Sequence, residues 1–179
     1  MARLTRDKWL AEGLKILAEF AQHKIRVLYL CERLGVTRGS FYHHFESIED
    51  FIQALLEHWE RENTLAFIEA TRNTEDPSAK MAVLNEQVLQ ADQAVEAAIR
   101  SWSYYHPVVK EVLDRVDRTR LDFLKTVFVQ MGIPTQRAAG LAQLDYATLI
   151  GLQQLNPTAT PEELTALFRL YSEVHWSQQ

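Results

Sequence analysis

Arg26–Phe45 reads RVLYLCERLGVTRGSFYHHF. Val27, Leu30, Cys31 and Leu34 recur at i, i+3, i+4 and i+7, the apolar stripe of a helix. Gly35 ends that stripe, and Leu34-Gly35-Val36-Thr37 reads as a tight turn. A short helix after Thr37 carries Phe41 and Phe45 one turn apart. Two helices joined in this way form a helix-turn-helix, spanning about residues 25–44. At about 100° per residue, Phe41 and Phe45 point inward together, while Gly39 and His43 lie opposite them. Ser40 and Tyr42 flank that outward line, and Arg38 sits one turn before Tyr42. Cys31, on the apolar stripe, reads as a small core residue.

The outward face suits a phosphate backbone. Thr37 and Ser40 supply hydroxyls, Arg38 a guanidinium fork, Tyr42 a phenol and His43 an imidazole. All donate to phosphate oxygens, and an arginine also reads guanine in the major groove. Gly39 lets a backbone approach closely, the N-terminus of the helix adds its own N–H groups, and Arg26 stands at the start of the preceding helix. The competing reading is an ordinary solvated face, which seldom combines glycine, an aromatic and three phosphate donors within seven residues.

Outward from this core, Thr5 can cap a first helix with Asp7 in its first turn, and Leu10, Leu14, Leu17, Ala18 and Ala21 follow helical spacing. A break falls within Ala21–Ile25, unmarked by Gly or Pro. Ser47 followed by Glu49 and Asp50 is a capping-box pattern that opens a fourth helix. Its apolar face is Phe51, Ile52, Leu55, Leu56 and Trp59, and it extends to about Thr71.

Trp9–Phe45 resembles, without gaps, the N-terminal domain of TetR-type transcriptional regulators. The resemblance rests on WLAEGLKILAE, on CERLGVTRGSFYHHF and on the acidic helix start at Ser47–Asp50. AIRSWSYYHPVVKEVLDRVD and YATLIGLQQL resemble the family more weakly. It implies a DNA-binding regulator: a repressor that binds a palindromic operator as a homodimer and is released by a small-molecule effector. Two positions depart from the pattern. Ala21 stands about where the family places a glycine, and Ile48 stands where it often has a phosphate-contacting lysine, so one phosphate contact is expected to be absent.

The remainder of the 179 residues fits one architecture. Strand alternation is sustained nowhere, and no Gly lies between Gly39 and Gly132. Helical segments are expected at about 78–91, 93–105, 107–131 and 135–155, with a last one after Thr160, Pro161 and Glu163. The chain is therefore read as all-α with about nine helices. Residues 4–58 form the helix-turn-helix domain and 59–179 a C-terminal ligand-binding and dimerisation domain. A net charge of −5 hides an asymmetry: residues 1–45 carry +4 and residues 46–179 carry −9. Such asymmetry accompanies nucleic-acid contact. One cysteine precludes an intrachain disulfide, and no apolar run reaches the roughly 18 residues of a membrane span. These absences, with an N-terminus lacking a secretory pattern, place the chain in the cytoplasm.

No catalytic residues, cofactor or metal site are assigned. The six histidines form no H-E-x-x-H pair, and His43 and His44 point in different directions. The chain is not read as an enzyme. Trp59, Phe67 and Trp102, with Tyr105, His106 and Phe123, are the candidates for an effector pocket. The segment 136–155 is apolar nearly all round, with Ala138, Ala142 and Gly151 small enough for a close helix approach. Leu141, Tyr146, Leu149 and Ile150 there, and Leu164, Phe168 and Tyr171 in the last helix, are the candidates for a homodimer interface. The alternative function is a helical protein-interaction module that keeps the helix-turn-helix as scaffold.

Overall fold

The computed structural model describes residues 4–156 and 159–176. Its order is α1 (Arg6–Phe20), a 3-10 turn (Ala21–Lys24), α2 (Val27–Leu34), α3 (Arg38–Tyr42) and α4 (Ile48–Glu60). A π-helical turn (Arg61–Leu65) joins α4 to α5 (Ala66–Ala70) in one rod. Then come α6 (Pro77–Gln90), α7 (Gln93–Ser103), α8 (Pro107–Gln130), α9 (Thr135–Leu155) and α10 (Pro161–Trp176). With α4 and α5 counted as one rod there are nine, and the described residues contain no strand. The all-α expectation holds.

Caps explain most of the starts. The Thr5 hydroxyl accepts from the Lys8 N–H, the Asp76 carboxylate from Ala79 and the Asp92 carboxylate from Ala94. The Ser47 hydroxyl accepts from Asp50 N–H at 3.1 Å. The Asp50 carboxylate, however, reaches Glu46 N–H rather than Ser47, so the expected box is displaced by one residue. Thr160 and Glu163 make the full reciprocal box. Gly35 closes α2 at φ +64°, a left-handed turn for which glycine is the natural residue.

The chain forms two compact units. The first combines the described residues up to Thr64 with Asp92–Asp117, and the second combines Leu65–Ala91 with the described residues from Arg118 onward. In the first, Trp9, Leu10, Ile16 and Leu17 of α1 meet Phe51, Leu55 and Trp59 of α4, while Ile99, Trp102, Val109 and Val112 close the same core. In the second, Leu124 and Phe128 of α8 pack with Ala138, Ala142 and Tyr146 of α9. A boundary at residue 58 therefore does not describe the packing, because α7 and the start of α8 supply core to the N-terminal helices. The weak signal for that pairing is the apolar spacing of Val95, Ile99 and Trp102, which does not name its partner.

Gly13 shows how closely α1 and α4 approach: a Cβ there would sit 2.8 Å from Phe51 Cζ and 2.9 Å from Leu55 Cδ1. Arg33 ties α2 to α1, with Nε donating to Glu12 Oε1 at 2.8 Å and Nη2 to Glu19 Oε1 at 2.9 Å. Hydrogen bonding from Arg33 holds the Glu19 carboxyl below its ordinary range.

The break after α1 carries a local strain. Ala21 has φ +50° and ψ −150°, a region that side-chain-bearing residues rarely occupy. This is where the resemblance places a glycine, so the backbone keeps a glycine conformation with an alanine in it. Relief of that strain, about 1–3 kcal/mol, outweighs the roughly 0.4–1 kcal/mol of extra unfolded-chain entropy that glycine brings. Ala21→Gly is expected to stabilise the fold by about 1 kcal/mol, seen as a higher urea midpoint with an unchanged m-value. A lower midpoint would refute the strain.

Candidate nucleic-acid interface

α3 is anchored from beneath by aromatic rings. Phe41 lies 5.5 Å from Trp9 in a T-shaped contact and 5.2 Å from Phe45. Phe45 stands edge-on to Phe51 at 5.0 Å. Phe41 is 0% exposed and Phe45 2%, as the angular reading requires. Such pairs fix ring orientation as well as burying area. They thereby fix which way the opposite face of a five-residue helix looks.

That opposite face is open. Thr37, Arg38, Gly39, Tyr42 and His43 are exposed, and Ser40 is half-buried. Tyr42 is 56% exposed. Thr37 is the N-cap residue but its side chain makes no capping bond. Gly39 is informative. A Cβ there would meet only Thr37 Oγ1, at 3.7 Å, an ordinary contact, and its φ is not left-handed. Nothing inside the protein requires glycine, yet glycine in a helix costs about 1 kcal/mol relative to alanine.

The surrounding charge divides into two kinds. Arg26, exposed, is the N-cap of α2, and Lys8 is exposed on α1. Arg6 is partly committed within the fold: its guanidinium lies 5.0 Å from the Phe45 ring centre and 3.9 Å from Asp50. Lys24 lies 5.2 Å from the Tyr29 ring. Arg3 is outside the described residues. Ile48, which takes the place of the lysine, is half-buried against the first core. Burial pushes the Cys31 thiol up, as suits a core residue.

The effector-pocket candidates divide between the two units. Trp59 and Trp102 are buried in the first core. Tyr105 is 80% exposed. His106 is half-buried beside the Trp102 ring, with a buried Nδ1 that makes no hydrogen bond. Phe67 and Phe123 are half-buried members of the second unit. The tryptophans are thus core residues by position, the common fate of aromatics at helical spacing.

The dimer candidates need a similar correction. Tyr146, Leu164 and Phe168 are buried in the chain's own interior, as are Ala138 and Ala142. Leu141, Leu149 and Ile150 pack against the second core, and Tyr171 is half-buried. The outward stripe of α9 is instead Gly140, Leu144, Ala147 and Leu155, with half-buried Gly151 beside it. Leu167 and Leu170 are exposed on α10. A Cβ on Gly140 or Gly151 would meet nothing within 4 Å. Among the described residues no cluster of His, Cys, Asp and Glu could hold a metal, and no helix is long and apolar enough to cross a membrane.

The sequence profile of the bacterial regulatory proteins of the tetR family matches residues 10–55. No curated protein matches the chain. Solved structures do. A transcriptional regulator from Rhodococcus sp. Rha1 superposes with a TM-score of 0.80 at 22% identity over 93% of each chain. A TetR-family regulator from Agrobacterium tumefaciens gives 0.77 at 20% identity, over 94% of this chain and 95% of that one. A putative transcriptional regulator from Saccharomonospora viridis, solved in complex with choline, gives 0.76 at 18% identity over 95% and 96%. Residues 10–55 thus match the model of the tetR-family regulatory proteins, and the all-α fold is shared along the length of the chain with solved transcriptional regulators.

Proposed function

We infer that this protein is a cytoplasmic transcriptional repressor that binds a palindromic operator as a homodimer. In this reading α3 enters the major groove. Arg38, Tyr42 and His43 carry affinity, Thr37 and Ser40 position the helix on phosphates, Gly39 admits the sugar-phosphate strand, and Arg26 adds a backbone contact. The observation that carries the reading is Gly39, exposed and unrequired by the protein's own packing. A small-molecule effector acting on the second unit would release the DNA. The choline held by the Saccharomonospora structure is in keeping with an effector of that size.

Operator selection followed by titration tests this. Arg38→Ala and Tyr42→Ala are each expected to weaken binding by about 1–3 kcal/mol while leaving the unfolding midpoint unchanged. Affinity should fall steeply with salt despite the net charge of −5, because Lys/Arg contacts release counterions from DNA. Binding indifferent to salt would rule out direct phosphate contact and favour the protein-interaction module.

The dimer is expected to form through the outward stripe of α9 together with Leu167 and Leu170 of α10, giving a four-helix bundle between two copies. One short reading helix spans too few base pairs for a unique site, and paired helices about 34–36 Å apart resolve this. A stable interface of this kind buries more than about 2,000 Å². Leu144→Glu with Leu170→Glu should give a folded monomer by sedimentation at low micromolar concentration, with operator binding lost. A wild-type monomer under those conditions would exclude the arrangement.

A further inference from the structure

The basic side chains of residues 4–45 divide into those the fold uses and those it leaves free. Arg33 pairs with Glu12 and Glu19, and Lys15 lies 3.9 Å from Glu12. Lys24 stands over the Tyr29 ring, and Arg6 lies by the Phe45 ring and Asp50. The side chains of Lys8, Arg26 and Arg38 are exposed and make no hydrogen bond, ion pair or ring contact among the described residues. Of these three, only Arg38 stands on α3, as its first residue.

The composition of α3 and its flanks narrows what can be read. Thr37–His44 contains no Asn, Gln, Asp or Glu. Asn and Gln pair bidentately with adenine, and carboxylates accept from cytosine, so neither base has its specific reader on this helix. Thr37, Ser40, Tyr42 and His43 offer single hydrogen bonds, which fit several base edges or a phosphate. The guanidinium fork alone matches two acceptors at once, O6 and N7 of guanine. The first residues of a reading helix are those that meet base edges. Gly39, beside Arg38, has no side chain to hold the helix off the groove.

We propose that Arg38 is the one bidentate base reader on α3, so that the operator carries one obligatory guanine in each half-site, with weaker preference at the positions around it. This rests on the reading of α3 as the DNA-binding helix. Lys8 and Arg26 act on phosphates and add affinity without sequence preference.

The test is selection from a random double-stranded DNA library by the full chain, followed by titration of the selected duplex. The wild-type pool should fix one guanine per half-site, and adenine in its place should weaken binding by about 5- to 150-fold. 7-Deazaguanine keeps Watson–Crick pairing but lacks the N7 acceptor. It should weaken wild-type binding several-fold and leave the binding of Arg38→Ala unchanged. Selection by Arg38→Ala should lose the preference at that position. Lys8→Ala and Arg26→Ala should return the wild-type sequence, with lower affinity for every duplex and a shallower salt dependence. A shared motif without a fixed guanine, a guanine that Arg38→Ala still selects, or a 7-deazaguanine duplex bound as tightly as its parent would overturn the proposal and leave the DNA-binding reading standing. A wild-type pool with no shared motif would overturn both.

Discussion

Phe41→Ala is expected to destabilise the protein by about 3–5 kcal/mol, while Tyr42→Ala, one residue along, leaves stability within about 0.5 kcal/mol of wild type. The two side chains share a helix of five residues and lie about 100° apart on it, Phe41 buried and Tyr42 exposed. Phe41 is enclosed by Trp9, Phe45 and Phe51, whose rings cannot collapse into the space it leaves without giving up their mutual contacts. Tyr42 stands in solvent, with only an edge contact to Phe41 at 5.3 Å. Urea denaturation of both variants measures the contrast. Loss of operator affinity should follow the opposite order when compared under conditions where both variants are folded. A Tyr42→Ala protein that unfolds with Phe41→Ala would mean that the face of α3 is wrongly assigned.

Asp145→Asn is expected to stabilise the protein, and only above mildly acidic pH. Burial raises the carboxyl from 3.8 to about 6. Between those values the native state holds a proton that the unfolded chain has released, so this group makes stability fall as pH rises. From about pH 7 upward the loss is complete and amounts to about 3 kcal/mol, at 1.36 kcal/mol per pKa unit. An uncharged amide escapes the charge but remains a buried polar group, so a gain of about 1–3 kcal/mol is the expected range. Thermal unfolding at pH 7.5 and pH 4 separates the cases. The variant should exceed the wild type at pH 7.5 and approach it at pH 4. Equal stability at both would show that the carboxylate is satisfied in solution.

How far the sequence could be read depended on whether each feature is local. The inward turn of Phe41 and Phe45, and with it the outward face of α3, follows from helical periodicity alone. The starts at Thr5, Ser47 and Thr160 follow from side chains within three residues of the N–H groups they accept from. By contrast, Ala21 carries no residue-type mark of its left-handed φ. The close crossing at Gly13 needs knowledge of Phe51 and Leu55 across the core. α9 is apolar on nearly every side, so periodicity could not separate Tyr146 and Ala142, turned inward, from Leu144 and Leu155, turned outward. Asp145 gave no signal, because a lone aspartate in a helix is ordinarily solvated.

The first unit is discontinuous in sequence, which has a consequence for how the protein is made. Its N-terminal helices rest on Ile99, Trp102, Val109 and Val112, residues that emerge from the ribosome well after Phe41 and Trp59. The nascent N-terminal helices therefore wait with part of their apolar surface uncovered, and the unit closes only after residue 117 has been translated. Pairings across such separations close slowly, and chains that expose apolar surface meanwhile are prone to aggregate. A transcript truncated anywhere before that point would yield a sticky fragment, with no independent DNA-binding module.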